Sequence, residues 1–249
     1  MDNSLLVSLS QQLAAYRAMD VIANNLANVS TPGFKREAAK FEEFLTKTRP
    51  AEGQSGTQTI AFVKDAGILR DSSQGNLDKT GGTYDLALAG KGFFQVSTPQ
   101  GMRYTRDGHF SLDANGNMVT SDGYQVQGDG GAITITPSDG EISISPDGTI
   151  SSVVHGVGNQ LGKMKVVDFA DTSAMTKTGA NLYDTSQAAT TPANVNIRQG
   201  FLESSNVQPV IEISHMIEVM RAYEATATLS KSHEDLMTSA IDKLGSTPN

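Results

Sequence analysis

Residues 5–35 read LLVSLSQQLAAYRAMDVIANNLANVSTPGFK, and this stretch decides how the rest of the chain is interpreted. Its apolar side chains recur every three or four residues, which places them on one face of a helix: Leu6, Leu9, Leu13, Tyr16, Met19, Ala23 and Leu26. Between Asn3 and Val29 the only charged residues are Arg17 and Asp20. Small uncharged polar groups can be buried at modest cost once they are hydrogen-bonded. The pattern therefore predicts a helix surrounded by other chains.

The end of this helix is predicted near Asn28. Thr31-Pro32-Gly33 is a turn signal, because proline disfavours the helical conformation of the residue before it. We expect Gly33 and Phe34 to fix the turn and to anchor the chain against a β domain that follows or against a neighbour.

Three asparagines, Asn24, Asn25 and Asn28, crowd the last turns of the predicted helix. Asparagine is a poor helix former, so its repeated use needs a reason. Helix capping and hydrogen bonds between chains both supply one, and the sequence leaves the two alternatives open.

A second amphipathic pattern occupies residues 207–244, and Pro209 suits its first turn. Its main apolar row follows three- and four-residue steps through Ile213, Ile217, Met220, Tyr223, Ala227, Met237, Ile241 and Leu244. Strict heptads fail, because Asp20 and Glu224 occupy seam positions in some registers. We nevertheless predict that the two terminal helices pair. The alternative is a pair of helices packed on a globular core.

Between the helices, the sequence changes to short runs rich in β-branched and aromatic residues. Candidate strands occupy 86–89, 93–97, 109–112, 119–120, 125–127, 133–136, 141–145, 149–152 and 163–168. Asn115-Gly116, Asp139-Gly140 and Asp147-Gly148 are hairpin signals, and Asn-Gly is typical of a type I′ turn. Turn signals at this spacing predict an all-β domain.

The predicted fold class is α+β, with long N- and C-terminal helices that form a coiled-coil-like layer and with a central all-β domain. The predicted parts are an N-terminal assembly helix and turn (1–35), a connector (36–83), the central β domain (84–200) and a C-terminal assembly helix (201–249).

Within the predicted connector, Phe41, Phe44 and Leu45 suggest a short helix or an anchor. Residues 51–59 are rich in Gly, Ser, Gln and Thr, which is typical of a flexible loop. The small basic cluster of Lys35, Arg36 and Lys40 favours a solvated turn over a partner site.

Composition excludes several classes of function. The net charge of −8 argues against nucleic acid as a partner, because phosphate binding needs a basic face. The chain has no Cys, which excludes disulfides, thiolate metal sites and a cysteine nucleophile. No apolar run approaches the roughly 20 residues that span a bilayer. The N-terminus also lacks the basic and apolar regions of a cleavable signal peptide.

Searches for chemical motifs find none that is complete. Asp113, Asn115 and Asn117 begin like a calcium loop, but Met118 and Tyr124 stand where that loop requires Gly and Glu. The glycine-rich stretch at 156–163 misses both phosphate-binding patterns and is interpreted as a surface loop. The four histidines have no metal-ligand spacing; they are His109, His155, His215 and His233. We predict no catalytic residue, no metal and no cofactor.

Three blocks resemble one protein family. ANNLANVSTPGFK at 23–35 resembles the N-terminal signature of flagellar rod, hook and hook-associated proteins, and LESSNVQPVIEISHMIEVMRAYEA at 202–225 resembles the matching C-terminal signature. YTRDGHFSLDANGNMVTSDGYQVQG at 104–128 resembles the β-hairpin block of the rod and hook group. The stretches at 73–90 and 130–153 also resemble parts of this family, the second its proximal-rod branch. The blocks follow the order of the family and bracket nearly the whole chain.

The resemblance implies a structural subunit of the bacterial flagellar basal-body rod, not an enzyme. It would polymerise through its terminal helices and transmit motor torque for swimming. The proximal rod is the expected position, and a distal-rod or hook-type axial protein is the alternative. A more distant alternative is a ligand- or carbohydrate-binding β protein, although aromatic residues make up only 6% of the chain and Trp is absent.

The resemblance also implies partners and a location. The partners are other copies of the chain, other proximal and distal rod proteins, and the flagellar type III export apparatus; nucleic acid and stable membrane insertion are not expected. The location is the rod in the periplasm, reached without signal-peptide cleavage. Pro32, Gly33 and Phe34 are the predicted turn and anchor. The predicted assembly interface combines the asparagines with both apolar rows: Leu6, Leu9, Leu13, Tyr16, Met19, Ala23, Asn24, Asn25, Leu26, Asn28, Ile213, Ile217, Met220, Tyr223, Ala227, Met237 and Ile241.

Overall fold

A computed structural model of the chain describes residues 3–48, 58–154, 157–192 and 194–245. Most of the predicted flexible loop at 51–59 lies outside the described residues, and so does His155. The chain forms two units. The first consists of Met1–Ala27, Glu37–Asp71 and Gln208–Asn249, and the second of Asn28–Arg36 and Ser72–Val207.

The first unit combines two helices with a long β ribbon. Helix α1 covers Asn3–Ala27 and helix α2 covers Pro209–Gly245. Strands β1 (Glu37–Thr48) and β2 (Gln58–Arg70) pair in antiparallel fashion. Helix α1 packs against α2 and against both strands.

The ribbon depends on α1, because an isolated two-stranded ribbon is only marginally stable in water. The amide of Val63 donates a hydrogen bond to the Ser10 hydroxyl over 3.4 Å. The Arg17 guanidinium lies 3.4 Å from the Asp65 carboxylate. These contacts hold β2 along the side of α1 and give the ribbon a supported face.

The predicted fold class was wrong about the composition of the helical layer. The helices do not form a layer of their own beside a single β domain, because β1 and β2 belong to the same unit as the helices. Phe41, Phe44 and Leu45 lie in strand β1 and not in a short helix. Residues 37–48 are rich in Glu, Ala and Lys, which favour helices locally. Pairing with residues 58–70, a partner distant in sequence, overrides that preference.

The predicted coiled-coil-like pairing of the two apolar rows was also wrong. Leu13 on α1 is 62% exposed and Ile217 on α2 is 46% exposed, so these rows do not cover each other. A different and more polar row of α2 is covered in this unit: Glu212, Met216, Val219, Thr226, Ser230 and His233 are buried or half-buried. The side of α2 that packs on α1 is therefore rotated away from the predicted row.

The second unit is built from short strands. Their bounds are β3 Leu77–Lys79, β4 Leu86–Leu88, β5 Phe93–Thr98, β6 Gly101–Thr105, β7 Phe110–Leu112, β8 Met118–Thr120, β9 Gln125–Gly128, β10 Gly131–Ala132, β11 Glu141–Ile144, β12 Thr149–Val154, β13 Val157–Lys163, β14 Val166–Val167, β15 Thr176–Lys177, β16 Leu182–Asp184, β17 Ile197–Gln199 and β18 Phe201–Glu203. A 3₁₀ turn occupies Pro137–Asp139.

These strands form one large sheet and several small ones. The large sheet has the order β15-β16-β6-β5-β9-β8-β7, with β10 paired to β9 and β14 paired to β5. Strands β11, β12 and β13 form a three-stranded sheet. The last two strands return to the beginning of the unit, where β17 pairs with β4 and β18 pairs with β3. The stretch at 156–163, interpreted from sequence as a loop, is mostly strand β13.

The core of the second unit is aliphatic and aromatic. Its main cluster contains Leu86, Phe94, Val96, Met118, Val126 and Ile150, which are all fully buried. A smaller cluster forms around Phe93, Phe169 and Tyr183. Side chains alternate inward and outward in β11, where Ile142 and Ile144 are buried and Glu141 and Ser143 are exposed.

The hairpin at Asn115-Gly116 was predicted at the right place but with the wrong turn type. Gly116 has φ +82°, whereas Asn115 does not have a positive φ. A type I′ turn needs a positive φ at both central residues. Instead, the Asp113 carboxylate accepts hydrogen bonds from the amides of Asn115 and Asn117, each 2.8 Å long. Hydrogen bonds from Asn117 hold the pKa of Asp113 below its ordinary value.

Two turn glycines provide a matched test of this packing. Gly116 and Gly123 have nearly the same φ, +82° and +84°, but a Cβ at Gly116 would lie 2.3 Å from the Ile135 carbonyl oxygen, whereas a Cβ at Gly123 would meet nothing within 4 Å. We expect Gly123→Ala to lower the free energy of unfolding by about 1–2 kcal/mol through its left-handed backbone alone. Gly116→Ala should cost a further ~1–3 kcal/mol. Urea denaturation followed by circular dichroism measures both, and equal losses would contradict the close contact with Ile135.

Candidate assembly surface

The predicted apolar row of α1 lies mostly in solvent. Four of its members are exposed: Leu6, Leu9, Leu13 and Tyr16. Ala23 is also exposed, while Met19 and Leu26 are half-buried. Within α1 the buried positions are instead Ser8, Val21, Ile22 and Asn25.

The apolar row of α2 is exposed in the same way. Its exposed members are Ile213, Ile217, Met220, Tyr223, Met237, Ile241 and Leu244, and Ala227 is half-buried. The ribbon adds Phe44 and Leu45 on β1, which are 55% and 59% exposed and which sequence analysis did not assign to any surface. Contiguous apolar patches are rare on monomeric proteins and mark interaction sites. The exposed apolar side chains of α1, α2 and β1 are therefore candidates for contact with other protein.

Asn25 makes its hydrogen bonds inside the first unit, where it is fully buried. Its amide nitrogen donates to the Glu37 carbonyl over 2.7 Å and to the Glu212 carboxylate over 3.0 Å. Its side-chain oxygen accepts a 2.9 Å hydrogen bond from the Glu37 amide. One side chain thus connects the end of α1, the start of β1 and the first turn of α2.

Of the other two asparagines, one lies in the last turn of α1 and one just beyond its end. Asn24 is exposed on α1. Asn28 accepts two hydrogen bonds from Thr31. The Thr31 amide donates to the Asn28 backbone carbonyl, and the Thr31 hydroxyl donates to the Asn28 side-chain oxygen. Asn28 therefore shapes the turn that follows α1.

The predicted anchor at Pro32, Gly33 and Phe34 is packed within the second unit. Gly33 has φ +67°, and a Cβ there would lie 2.5 Å from the backbone carbon of Arg106. Phe34 is only 1% exposed, and the Lys177 ammonium lies 4.0 Å from the centroid of its ring. These contacts place the segment that leaves α1 against strands of the β unit.

The prediction of a solvated basic turn was wrong for Lys35, because Lys35 is buried in an ion pair. Its ammonium lies 2.5 Å from the Glu203 carboxylate and donates a 2.7 Å hydrogen bond to the Ser73 carbonyl. Glu203 also accepts a 3.1 Å hydrogen bond from the Gly75 amide. A charged pair can remain buried when hydrogen bonds replace its lost hydration.

Arg106 adds a second cation to this buried cluster. Its guanidinium lies 3.8 Å from the other oxygen of Glu203 and donates a 2.6 Å hydrogen bond to the Gly90 carbonyl. Burial lowers the pKa of Arg106, and the Glu203 carboxylate opposes that shift. Lys35, Arg106 and Glu203 come from the three sequence blocks at 23–35, 104–128 and 202–225. Sequence analysis missed this cluster because nothing local distinguishes these charges from solvated ones.

One cavity of the second unit bears on the ligand-binding alternative. A cavity of about 420 Å³ is lined by residues that include Asp129, Asp147 and Lys163 but no aromatic side chain. Among the residues described, no group of three or more His, Cys, Asp or Glu side chains is placed to hold a metal ion. Neither described helix combines the length and the hydropathy needed to cross a bilayer.

The buried cluster predicts a large effect of neutralising Glu203. Glu203→Gln leaves Lys35 and Arg106 buried without their counter-charge, so we expect a loss of about 3–5 kcal/mol in the free energy of unfolding. Combining it with Lys35→Met should restore part of that loss. The control Glu141→Gln removes an exposed charge from β11 and should stay within about 0.5 kcal/mol of the unmodified chain. Urea denaturation compares the four proteins, and similar stabilities for Glu203→Gln and Glu141→Gln would show that the cluster contributes nothing.

Comparison with known proteins gives three matching family descriptions along the chain. "Flagella basal body rod protein" matches residues 5–35, "Flagellar hook protein FlgE/F/G D1 domain" matches 87–152, and "Flagellar basal body rod FlgEFG protein C-terminal" matches 198–243. These ranges contain most of α1, the first half of the β unit and most of α2.

Similar proteins extend over nearly the whole chain. The flagellar basal-body rod protein FlgF of Caulobacter vibrioides is 43% identical, and the match covers 98% of this chain and 99% of the relative. FlgF of Mesorhizobium japonicum is 34% identical over 99% of both chains. The rod protein FlgG of Buchnera aphidicola (subsp. Acyrthosiphon pisum) is 38% identical over 91% of this chain and 93% of the relative. The resemblance found in the sequence is therefore confirmed, and the chain belongs to the flagellar basal-body rod protein family.

Proposed function

We propose that this chain is a structural subunit of the flagellar rod, of the FlgF type, which assembles through the exposed apolar rows of α1 and α2. The observation that carries the proposal is the exposure of those rows, Leu6 to Tyr16 on α1 and Ile213 to Met220 on α2, in a member of a rod family. Burying a Leu or Ile side chain stabilises by about 1.5–3 kcal/mol. A set of such residues suffices to drive association once neighbouring subunits cover them.

In the proposed mechanism, subunits add to a growing helical array. Head-to-tail contacts that do not close on themselves produce such an array. The assembly interface predicted from sequence is retained as part of this proposal, and Phe44 and Leu45 of the ribbon extend it. A subunit that transmits torque has to be stiff and does not have to catalyse a reaction. The buried hydrogen bonds of Asn25 and the ion pair of Lys35 with Glu203 support stiffness within each unit.

The same proposal also specifies the position of the subunit within the rod and the route by which it is exported. We place the subunit in the proximal rod, because the match to FlgF relatives extends over 98–99% of the chain. A distal-rod or hook-type axial role is the second candidate, favoured by the 38% identity to a FlgG. The proposed route is export by the flagellar type III apparatus into the periplasm. Retention of the first helix follows if Leu6 and Leu9 are needed in the assembled rod.

A charge placed in the apolar row of α2 tests the proposal. Ile217 is 46% exposed, so Ile217→Asp should leave the melting temperature of the purified protein unchanged. In the rod the same carboxylate would be buried without a partner, at a cost of several kcal/mol per contact. We expect rod completion and swimming to be lost, as measured by electron microscopy of basal bodies and by motility in soft agar.

The matched control is Ser232→Asp, which adds the same charge at an exposed position of α2 outside the apolar row. This variant should assemble and swim. A lower melting temperature for Ile217→Asp would mean that the row packs on its own chain. Normal swimming by Ile217→Asp would remove the row from the interface and refute the proposed mechanism.

The export route has its own test. If the first helix is part of the assembled rod, the chain recovered from purified basal bodies should retain residues 4–13. Intact-mass spectrometry of that chain measures this directly. A mature chain that begins after residue 20 would point to a cleaved signal and would contradict the proposed route.

A further inference from the structure

The hairpin tip between β7 and β8 contains the only Asn-Gly pair in the sequence, Asn115-Gly116. An asparagine followed by glycine deamidates readily, because glycine has no Cβ to shield its backbone nitrogen and lets the chain bend towards the asparagine side chain. Every other asparagine that has a successor is followed by a residue with a side chain. Asn115 is exposed, so hydroxide and water reach its amide group.

Deamidation at such a pair is an acyl transfer within the chain. The Gly116 backbone nitrogen loses its proton to hydroxide and attacks Cγ of Asn115. The bond from Cγ to the side-chain nitrogen breaks, and that nitrogen takes a proton from water and leaves as ammonia. Water then opens the five-membered imide at one of its two carbonyls, which leaves aspartate or isoaspartate. The sum is one asparagine and one water giving one carboxylic acid and one ammonia, so no other reagent is needed.

In the folded hairpin the attacking nitrogen is held by hydrogen bonds. The Gly116 amide donates a 3.0 Å hydrogen bond to the Asp113 carbonyl, and the Gly116 carbonyl accepts a 2.7 Å hydrogen bond from the Ile135 amide. The Asn115 amide donates a further 2.8 Å hydrogen bond to the Asp113 carboxylate. An imide nitrogen carries no hydrogen, so the bond from Gly116 to Asp113 is lost when the ring closes. The reaction therefore requires the tip to open.

The tip is also packed closely against the strand segment beside it. A Cβ on Gly116 would lie 2.3 Å from the Ile135 carbonyl oxygen. Directly after the tip, the amide of the fully buried Met118 donates a 2.9 Å hydrogen bond to the Ile133 carbonyl. Isoaspartate adds one carbon to the backbone between Asn115 and Gly116, whereas aspartate leaves the backbone as it was. The longer tip cannot keep these contacts in register.

We propose that Asn115 is a deamidation site that folding of the β unit protects, so that isoaspartate at this residue records how long a chain has stayed unfolded. A folded chain reacts only while its hairpin is open, and its rate is the rate of the unfolded chain multiplied by the open fraction. A chain that has reached isoaspartate before it folds carries a tip that no longer fits the β unit. Unfolded chains are therefore lost from the pool that can fold, whereas folded chains are not.

Ageing the purified chain at mildly alkaline pH tests the protection. One half is kept folded in buffer and the other is unfolded in guanidinium chloride. Isoaspartate is measured over time by enzymatic methylation, and mass spectrometry of proteolytic fragments locates the modified residue. We expect Asn115 to be the first residue modified in the unfolded chain, and to react at least about tenfold more slowly in the folded chain.

The control Asn115→Ser has no side-chain amide at this position, so it should remove the fast reaction of the unfolded chain. Equal rates in the folded and unfolded chains would overturn the protection. Faster reaction at another residue of the unfolded chain would overturn the choice of site.

Refolding tests the second half of the proposal. Chains aged in guanidinium chloride are separated into those with and without isoaspartate and returned to buffer. The isoaspartate chains should fail to refold, or should melt at least about 4 °C below the unmodified chain. Asn115→Asp carries the same new charge on an unaltered backbone and should refold and melt like the unmodified chain. An unchanged melting temperature for the isoaspartate chains, or an equal loss in Asn115→Asp, would show that the added backbone carbon does not matter and would overturn this part.

Discussion

The β unit depends on the ion pairs that the buried Glu203 carboxylate makes with Lys35 and Arg106. Isolated buried charges are costly, and here two cations and the Gly75 amide face the buried carboxylate. This arrangement requires Gly33, where any side chain would collide with the backbone of Arg106. The 2.7 Å hydrogen bond from the Gly33 amide to the Glu203 carbonyl aligns the same segments. Two segments 168 residues apart therefore close one unit.

In the first unit, too, a buried polar side chain connects distant segments, but this side chain is neutral. Asn25 is placed where its amide can bond both backbone groups of Glu37 and the Glu212 carboxylate. The Arg70 guanidinium, 3.0 Å from the Glu37 side chain, adds an ion pair beside it. Buried polar groups of this kind restrict the arrangement of the elements, since any other arrangement would leave them unsatisfied. Polar contacts thus position the helices, and much of the apolar surface of the helices remains outside.

That inverted distribution connects the fold to the function. In α2, the covered row mixes the polar residues Glu212, Thr226, Ser230 and His233 with the apolar residues Met216 and Val219, while Ile213 and Ile217 are exposed. A protein that works alone would do the reverse, because apolar burial is the main source of stability. The arrangement makes sense for a subunit whose neighbours complete its core. Membership of the rod family and the exposure of these apolar side chains therefore lead to the same proposal.

The sequence by itself determined the positions of α1 and α2, several core strands, the turn glycines and the family, because helical periodicity, turn chemistry and signature residues are local properties. It also identified the apolar rows of the candidate surface. Only the tertiary structure decided that residues 37–48 form a strand, that Lys35 is buried and that Asn25 bonds within the chain. Each of these depends on a partner far away in sequence: residues 58–70 for the strand, Glu203 for Lys35 and Glu212 for Asn25. Local propensity carries no information about such partners, so the covered face of α2 could be found only in the folded chain.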